Sequence, residues 1–171
     1  MSYTDALDRL YGRAPRGIRL GLDRVRSAAL ELGSPQAGLA CVQVAGTNGK
    51  GAVASLIAHA ARSAGVRTGL YTSPHLHRFT ERIRLDGDEV GAELLEPVLL
   101  GALDLADRRE DLGLSFFEIA TLAAFGVFAE HSVEMAVLEV GLGVGLYPST
   151  KLDVGGGIGL RYYFQFKESP E

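Results

Sequence analysis

A chain of 171 residues that is 47% hydrophobic and 22% charged has the balance of a globular domain able to bury a core. A net charge of -4 supplies no positive field for nucleic acid or an anionic membrane, so neither partner is expected and any anion has to be bound locally. The single cysteine, Cys41, excludes an internal disulfide, and its apolar surroundings mark an inert core thiol in a reducing compartment.

Residues Met1 to Gly17 are too charged for a signal peptide, and no stretch is apolar for long enough to span a bilayer, which implies a cytoplasmic protein. Leu22, Val25, Ala29 and Leu32 recur at helical spacing before Gly33 and Pro35, predicting a helix from Leu20 to Leu32. Leu39 to Ala45 is a β-branched run ending in glycines. Val53, Leu56, Ile57, Ala60 and Ala64 then mark a helical face that stops at Gly65. Thr68 to Tyr71 reads as a strand, and Ile83 to Val90 as a hairpin turned at Asp86-Gly87. A helical pattern returns from Leu94 to Ala106. Ser115 to Ala129 is apolar almost all round, as in a helix buried on several sides, and Met135 to Val140 is a buried strand. Buried strands alternating with helices predict an α/β fold, a mainly parallel sheet with helices on both faces, whose ligands collect at the carboxyl ends of the strands.

Three segments at such ends carry candidate chemistry. Val44 to Ala52 holds a glycine loop between a strand and a helix N-terminus. Small residues there let backbone N–H groups close on phosphate oxygens, and Lys50 adds a charge near the terminal phosphates, so ATP is the natural guest. The common phosphate-loop spacing calls for glycine at 44 and a hydroxyl at 51, where this chain has Val44 and Gly51. A tight turn with a solvated lysine is the other reading. The second segment, Tyr71 to Ile83, leaves a strand as a polar loop. Ser73-Pro74 is a turn start, and His75 with His77 lacks a third nitrogen or sulfur ligand nearby, which disfavours zinc. Arg78, Arg82 and Arg84 suit either a carboxylate ligand or a solvated hairpin face. In the third, Ser115 and Glu118 have capping-box spacing. Glu139 interrupts the apolar run Met135 to Leu138 at a strand end, where a carboxylate is costly unless paired or metal-bound.

The string Gly46-Thr47-Asn48-Gly49-Lys50-Gly51 is similar to the shortened phosphate loop of Mur-type ligases, and the glycine after the lysine resembles the folylpolyglutamate synthase and dihydrofolate synthase branch. The resemblance implies a P-loop NTPase-like Mur ligase central domain that binds ATP through Gly46, Thr47, Asn48, Gly49, Lys50 and Gly51, with Lys50 catalytic. That branch usually continues with serine or threonine where this chain has Ala52, implying weakened rather than abolished binding. Ser73-Pro74-His75-Leu76 looks like the family's loop in which the serine helps hold Mg2+. Leu138 to Gly143 resembles the segment that makes Glu139 the second magnesium ligand. Ser115, Phe116, Phe117 and Glu118 map onto a segment lining the pterin pocket, with Phe117 packed on a flat heterocycle. Ile18 and Leu20 map onto residues that touch the pteroate, while Arg19 replaces an acid.

The similarity runs from about Leu20 to Gly143. Residues 1–143 are expected to form an incomplete ATP-binding domain and 144–171 a divergent tail, frameshifted or disordered. The family's later substrate motif and its C-terminal glutamate-binding domain have no counterpart. In the intact family ATP phosphorylates the carboxylate of dihydropteroate or a folylglutamate, and the amine of L-glutamate attacks the acyl phosphate, a step of folate biosynthesis. The chain is therefore expected to act as a monomer on small molecules, and to turn over poorly alone. Two other readings stay open: a non-catalytic nucleotide-binding remnant, and a dinucleotide oxidoreductase suggested by Gly141-Leu142-Gly143-Val144-Gly145.

Overall fold

The computed structural model describes residues 2–13, 21–46, 48–140 and 161–164. In chain order the elements are α1 (Tyr3–Tyr11), α2 (Asp23–Glu31), β1 (Ala40–Ala45), α3 (Lys50–Ser63), β2 (Thr68–Tyr71), β3 (Ile83–Leu85), β4 (Asp88–Glu89), α4 (Ala92–Arg108), α5 (Phe116–Glu130), β5 (Met135–Val140) and β6 (Arg161–Phe164). They fall into two compact units, Met1–Ala37 with Gly91–His131, and Gly38–Val90 with Ser132–Glu171.

The first unit is helical. α1, which the hydrophobic pattern does not announce, begins in a capping box: Asp5 N–H donates to Ser2 Oγ and Ser2 N–H to Asp5 Oδ2 at 2.7 Å. It buries only Ala6 and Leu10, and Arg9 ties it to α4 through Asp104 at 2.7 Å and Asp107 at 2.6 Å. α2 starts at Asp23, with Leu22 as its N-cap. α4 and α5 pack so closely that a β-carbon placed on Gly126 would stand 3.0 Å from Val98 Cγ1. α5 is buried along most of its length, as its nearly unbroken apolar sequence predicts.

The second unit is a six-stranded sheet in the order β4-β3-β2-β5-β1-β6. Its centre is parallel: β5 pairs with β1 on one side and β2 on the other. The edges are antiparallel, β3 with β2, β4 with β3, and β6 with β1. The expected mainly parallel sheet is thus a mixed one whose parallel strands occupy the middle. α3 carries the chain from β1 to β2 across β5, and Ala54 and Ala58 pack with Val42, Val44, Leu70 and Val137 in the core beneath it. Every residue of β2 is buried, as suits a strand paired on both sides. The β3–β4 turn has positive φ at both Asp86 (47°) and Gly87 (92°), the geometry an Asp-Gly pair favours in a hairpin. Cys41 is buried in β1.

Candidate functional site

Register brings the first two segments and Glu139 to one end of the sheet, whereas Ser115 to Glu118, expected at a strand end as well, belong to the helical unit. Val44 is opposite Glu139 across β1 and β5, and Tyr71 is opposite Leu138 across β2 and β5. The loops after β1 and β2 therefore leave the sheet on either side of the carboxyl end of β5, the position where ligands of open α/β sheets gather.

After β1 the chain passes through buried Gly46 and exposed Asn48 to Gly49, the N-cap of α3, at φ 74° and ψ 5°. That left-handed backbone costs a side-chain-bearing residue roughly 1–2 kcal/mol, so glycine is the fitting residue. Among the described residues no side chain caps this helix. The positive end of the α3 dipole, with Lys50 in its first turn, favours an anion there. Gly51 follows, and a β-carbon there would stand 3.4 Å from Glu139 Oε2. A side chain at this position would therefore lie in van der Waals contact with that carboxylate. Ala52 is exposed one step on.

Glu139 is only 7% exposed, and its Oε2 accepts a hydrogen bond from Ser73 N–H at 3.2 Å. Among the described residues no arginine or lysine forms an ion pair with it. A buried carboxylate beside a phosphate-type loop and a serine suits a hard divalent cation, since magnesium takes few protein oxygens together with water and phosphate. Among the described residues no three His, Cys, Asp or Glu side chains cluster as an all-protein metal site. Gly51, Ala52, Ser55, Thr72, Pro74 and Glu139 share the lining of an open cleft of about 790 Å3 that continues along α3 to Arg62 and Arg84.

The loop from Thr72 to Arg82 is held by its own polar groups. Thr72 N–H donates to Arg82 O at 2.9 Å across the neck of the loop. Buried Arg82 donates from Nε to His75 Nδ1 at 2.7 Å and lies over the Phe79 ring, 5.7 Å from its centre. A guanidinium only donates, so the proton of the neutral His75 ring sits on Nε2. Burial, and then the charge of Arg82, lower the His75 pKa. Arg78 pairs with Glu89, and Arg84 donates to Gly87 O at 3.3 Å. These contacts give the arginines structural work. Glu81 accepts from the N–H groups of Leu76, His77 and Arg78, which hold its carboxyl at a pKa of about 2. Neither Glu81 nor the Arg82–His75 pair is visible in the sequence, because an acceptor for backbone N–H groups leaves no spacing signal beyond the acid three places after Arg78.

In the helical unit, Ser115 caps α5 as its spacing implies. Ser115 N–H and Oγ–H both donate to Glu118 Oε2, at 2.9 and 2.7 Å. The other oxygen, Oε1, accepts from Arg24 at 2.9 Å, with both side chains largely buried. Glu118 therefore joins α2 to the start of α5. Phe116 stacks on Tyr11 with ring centres 5.5 Å apart, and Phe117 is half-buried, its carbonyl accepting from Thr121. Thr47, Ile18, Leu20 and the glycines from Gly141 to Gly145 lie outside the described residues.

A glycine loop between strand and helix, next to a buried acid on the adjoining parallel strand, places the sheet unit among open α/β domains of the Mur ligase fold. No protein-family model matches the chain. It is 37% identical over 142 residues to the dihydrofolate synthase/folylpolyglutamate synthase of Escherichia coli, a match covering 83% of this chain and 32% of that protein. The solved folylpolyglutamate synthase of Thermotoga maritima superposes with a TM-score of 0.75 at 39% identity, covering 82% of this chain and 33% of that one. The Mycobacterium tuberculosis folylpolyglutamate synthase complexed with ADP gives a TM-score of 0.68 at 33% identity, covering 81% and 32%. The chain belongs to the folylpolyglutamate synthase and dihydrofolate synthase family and matches part of the length of its members. It spans about a third of the length of the E. coli relative.

Proposed function

We propose that this chain is the ATP-binding part of a ligase that joins L-glutamate to dihydropteroate or to a folylpolyglutamate. The observation that carries the reading is the meeting of Gly51, Ser73 N–H and the buried Glu139 carboxylate at the ends of adjoining parallel strands. In this reading the N–H groups from Gly46 through Gly51, Thr47 and Asn48 included, surround the ATP phosphates, and Lys50 reaches the terminal ones. Ser73 and Glu139 hold Mg2+, which when bound neutralises charge on the transferring phosphoryl group. The substrate carboxylate attacks the γ-phosphorus, the bond to the bridging oxygen breaks, and ADP departs. The amine of glutamate then attacks the acyl phosphate, loses a proton, and displaces inorganic phosphate to leave an amide.

Ile18, Leu20, Ser115, Phe116 and Phe117 flank the pteroate, with Glu118 anchoring the start of α5. The ligase of which it is part acts as a cytoplasmic monomer on small molecules, and this chain alone turns over poorly.

Calorimetry with ATP, with and without magnesium, tests the reading. Wild type binds ATP more tightly with magnesium. Lys50→Ala weakens binding in both conditions by about tenfold or more, as loss of a charge-assisted contact does. Glu139→Gln removes the magnesium-dependent gain and leaves metal-free binding within about twofold. Binding of NAD in place of ATP, or a magnesium gain that survives Glu139→Gln, contradicts the assignment.

A further inference from the structure

Glu81 has no part in the proposed metal–nucleotide site, yet it is the one carboxylate of its loop and accepts from three of that loop's backbone N–H groups. Its Oε2 accepts from Leu76 N–H at 2.7 Å, and its Oε1 from His77 N–H at 3.0 Å and Arg78 N–H at 2.8 Å. Three consecutive backbone donors turned toward one anion form a nest, with the anion supplied by the chain itself. Charge matters here. A glutamine offers one carbonyl oxygen, and its NH2 group would face an N–H donor, leaving at least one of the three unsatisfied.

The location of this clamp gives it a consequence. The loop is pinned at its neck by Thr72 N–H to Arg82 O, and Arg82 also holds His75 through Nδ1. Residues 81 and 82 therefore grip the outgoing chain at 72, at 75 and from 76 to 78. Only Ser73 and Pro74 lie between the neck and the gripped arm. Ser73 is the residue whose N–H meets Glu139. An anchor on each side leaves it little freedom to move along or away from the end of β5.

We propose that Glu81 is a positioning residue for the metal–nucleotide site, holding Leu76 to Arg78 so that Ser73 stays registered against Glu139. The inference rests on the reading of Ser73 and Glu139 as the magnesium site. The competing role is that of a loop staple with no bearing on metal binding.

Two measurements on the full chain separate these roles: amide hydrogen exchange from Ser73 to Arg78, and ATP affinity with and without magnesium. For Glu81→Gln the expectation is faster exchange at Leu76, His77 and Arg78, a magnesium-dependent gain in ATP affinity reduced about tenfold, and metal-free affinity within about twofold of wild type. Glu81→Asp keeps the charge at shorter reach and falls between the two, which keeps the comparison usable if the glutamine variant folds poorly. If exchange rises in either variant while the magnesium gain remains whole, Glu81 is only a staple and the inference is overturned. Unchanged exchange in Glu81→Gln overturns it too, since the clamp then does not hold the loop. Failure of wild type to bind magnesium and ATP together is a different result; it removes the functional reading, and this inference with it.

Discussion

Glu81 and Glu118 show how much of this protein's polar design lies in carboxylates that accept from more than one donor. For Glu81 the unfolded value near 4.5 falls to about 2, chiefly because Leu76 and Arg78 N–H groups favour the charged form. A depressed carboxyl pKa contributes order that is complete above the unfolded value and is lost as pH falls through the folded one. The amide shifts of Leu76, His77 and Arg78 should therefore be flat above pH 5 and titrate together with a midpoint near 2. An NMR titration centred near 4.5 would contradict the clamp. Glu118 is more enclosed, and removing its side chain takes away the carboxylate that pairs with Arg24 and the reciprocal half of the α5 capping box. Glu118→Ala should cost about 3 kcal/mol in urea unfolding. Glu118→Gln, which keeps the volume, should cost less. Spacing alone revealed the Ser115–Glu118 cap because its partners are three residues apart. Arg24 is distant in sequence, so its contact with Glu118 had no local signature.

Elements were legible where hydrophobic period and turn chemistry agreed. Thr68–Tyr71 and Met135–Val140 are strands over the residues the apolar runs mark, and Asp86-Gly87 turns the hairpin as an Asp-Gly pair should. α1 escaped notice because only Ala6 and Leu10 are buried in it, too few for a period. Its signal was the serine–aspartate cap and Arg9 facing Asp104 and Asp107, a tertiary match rather than a pattern. The α4–α5 contact gives an element-scale test. Gly126 allows the helices to approach until Val98 lies within 3.0 Å of where a β-carbon would be. Gly126→Val should destabilise the chain by about 2 kcal/mol, as overpacking does. Adding Val98→Ala should return part of that loss, and a thermal-melt double-mutant cycle measures the coupling.

At the scale of the whole molecule, strand order was the feature the sequence did not disclose. Buried apolar strands predict a parallel sheet, but nothing in their composition says that the last of the three parallel strands lies between the first two. The glycine loop between strand and helix was readable from its own residues, and Glu139 from its misfit in an apolar run. Their meeting depends on β5 pairing with both β1 and β2. A strand hydrogen-bonded on both sides should open only in the largest unfolding event of its unit. Amides from Ala136 to Leu138 are thus expected to exchange more slowly than those of Arg84 and Leu85 near the sheet edge. Equal rates in hydrogen-exchange mass spectrometry would show that β5 is not the spine of the sheet.

The insertion of β5 also sets an order of events during synthesis. β1, α3 and β2 leave the ribosome before Met135 to Val140 exists, and with adjacent strands about 4.8 Å apart, β1 and β2 must keep a one-strand gap of roughly 10 Å or close it by pairing wrongly. The late strand brings the acid of the site and the spacer that sets its width in the same six residues. A nascent chain that has completed β2 therefore carries the glycine loop without the acid that faces it. The contacts of Glu139 with Ser73 and Gly51 thus wait for β5 to enter between β1 and β2.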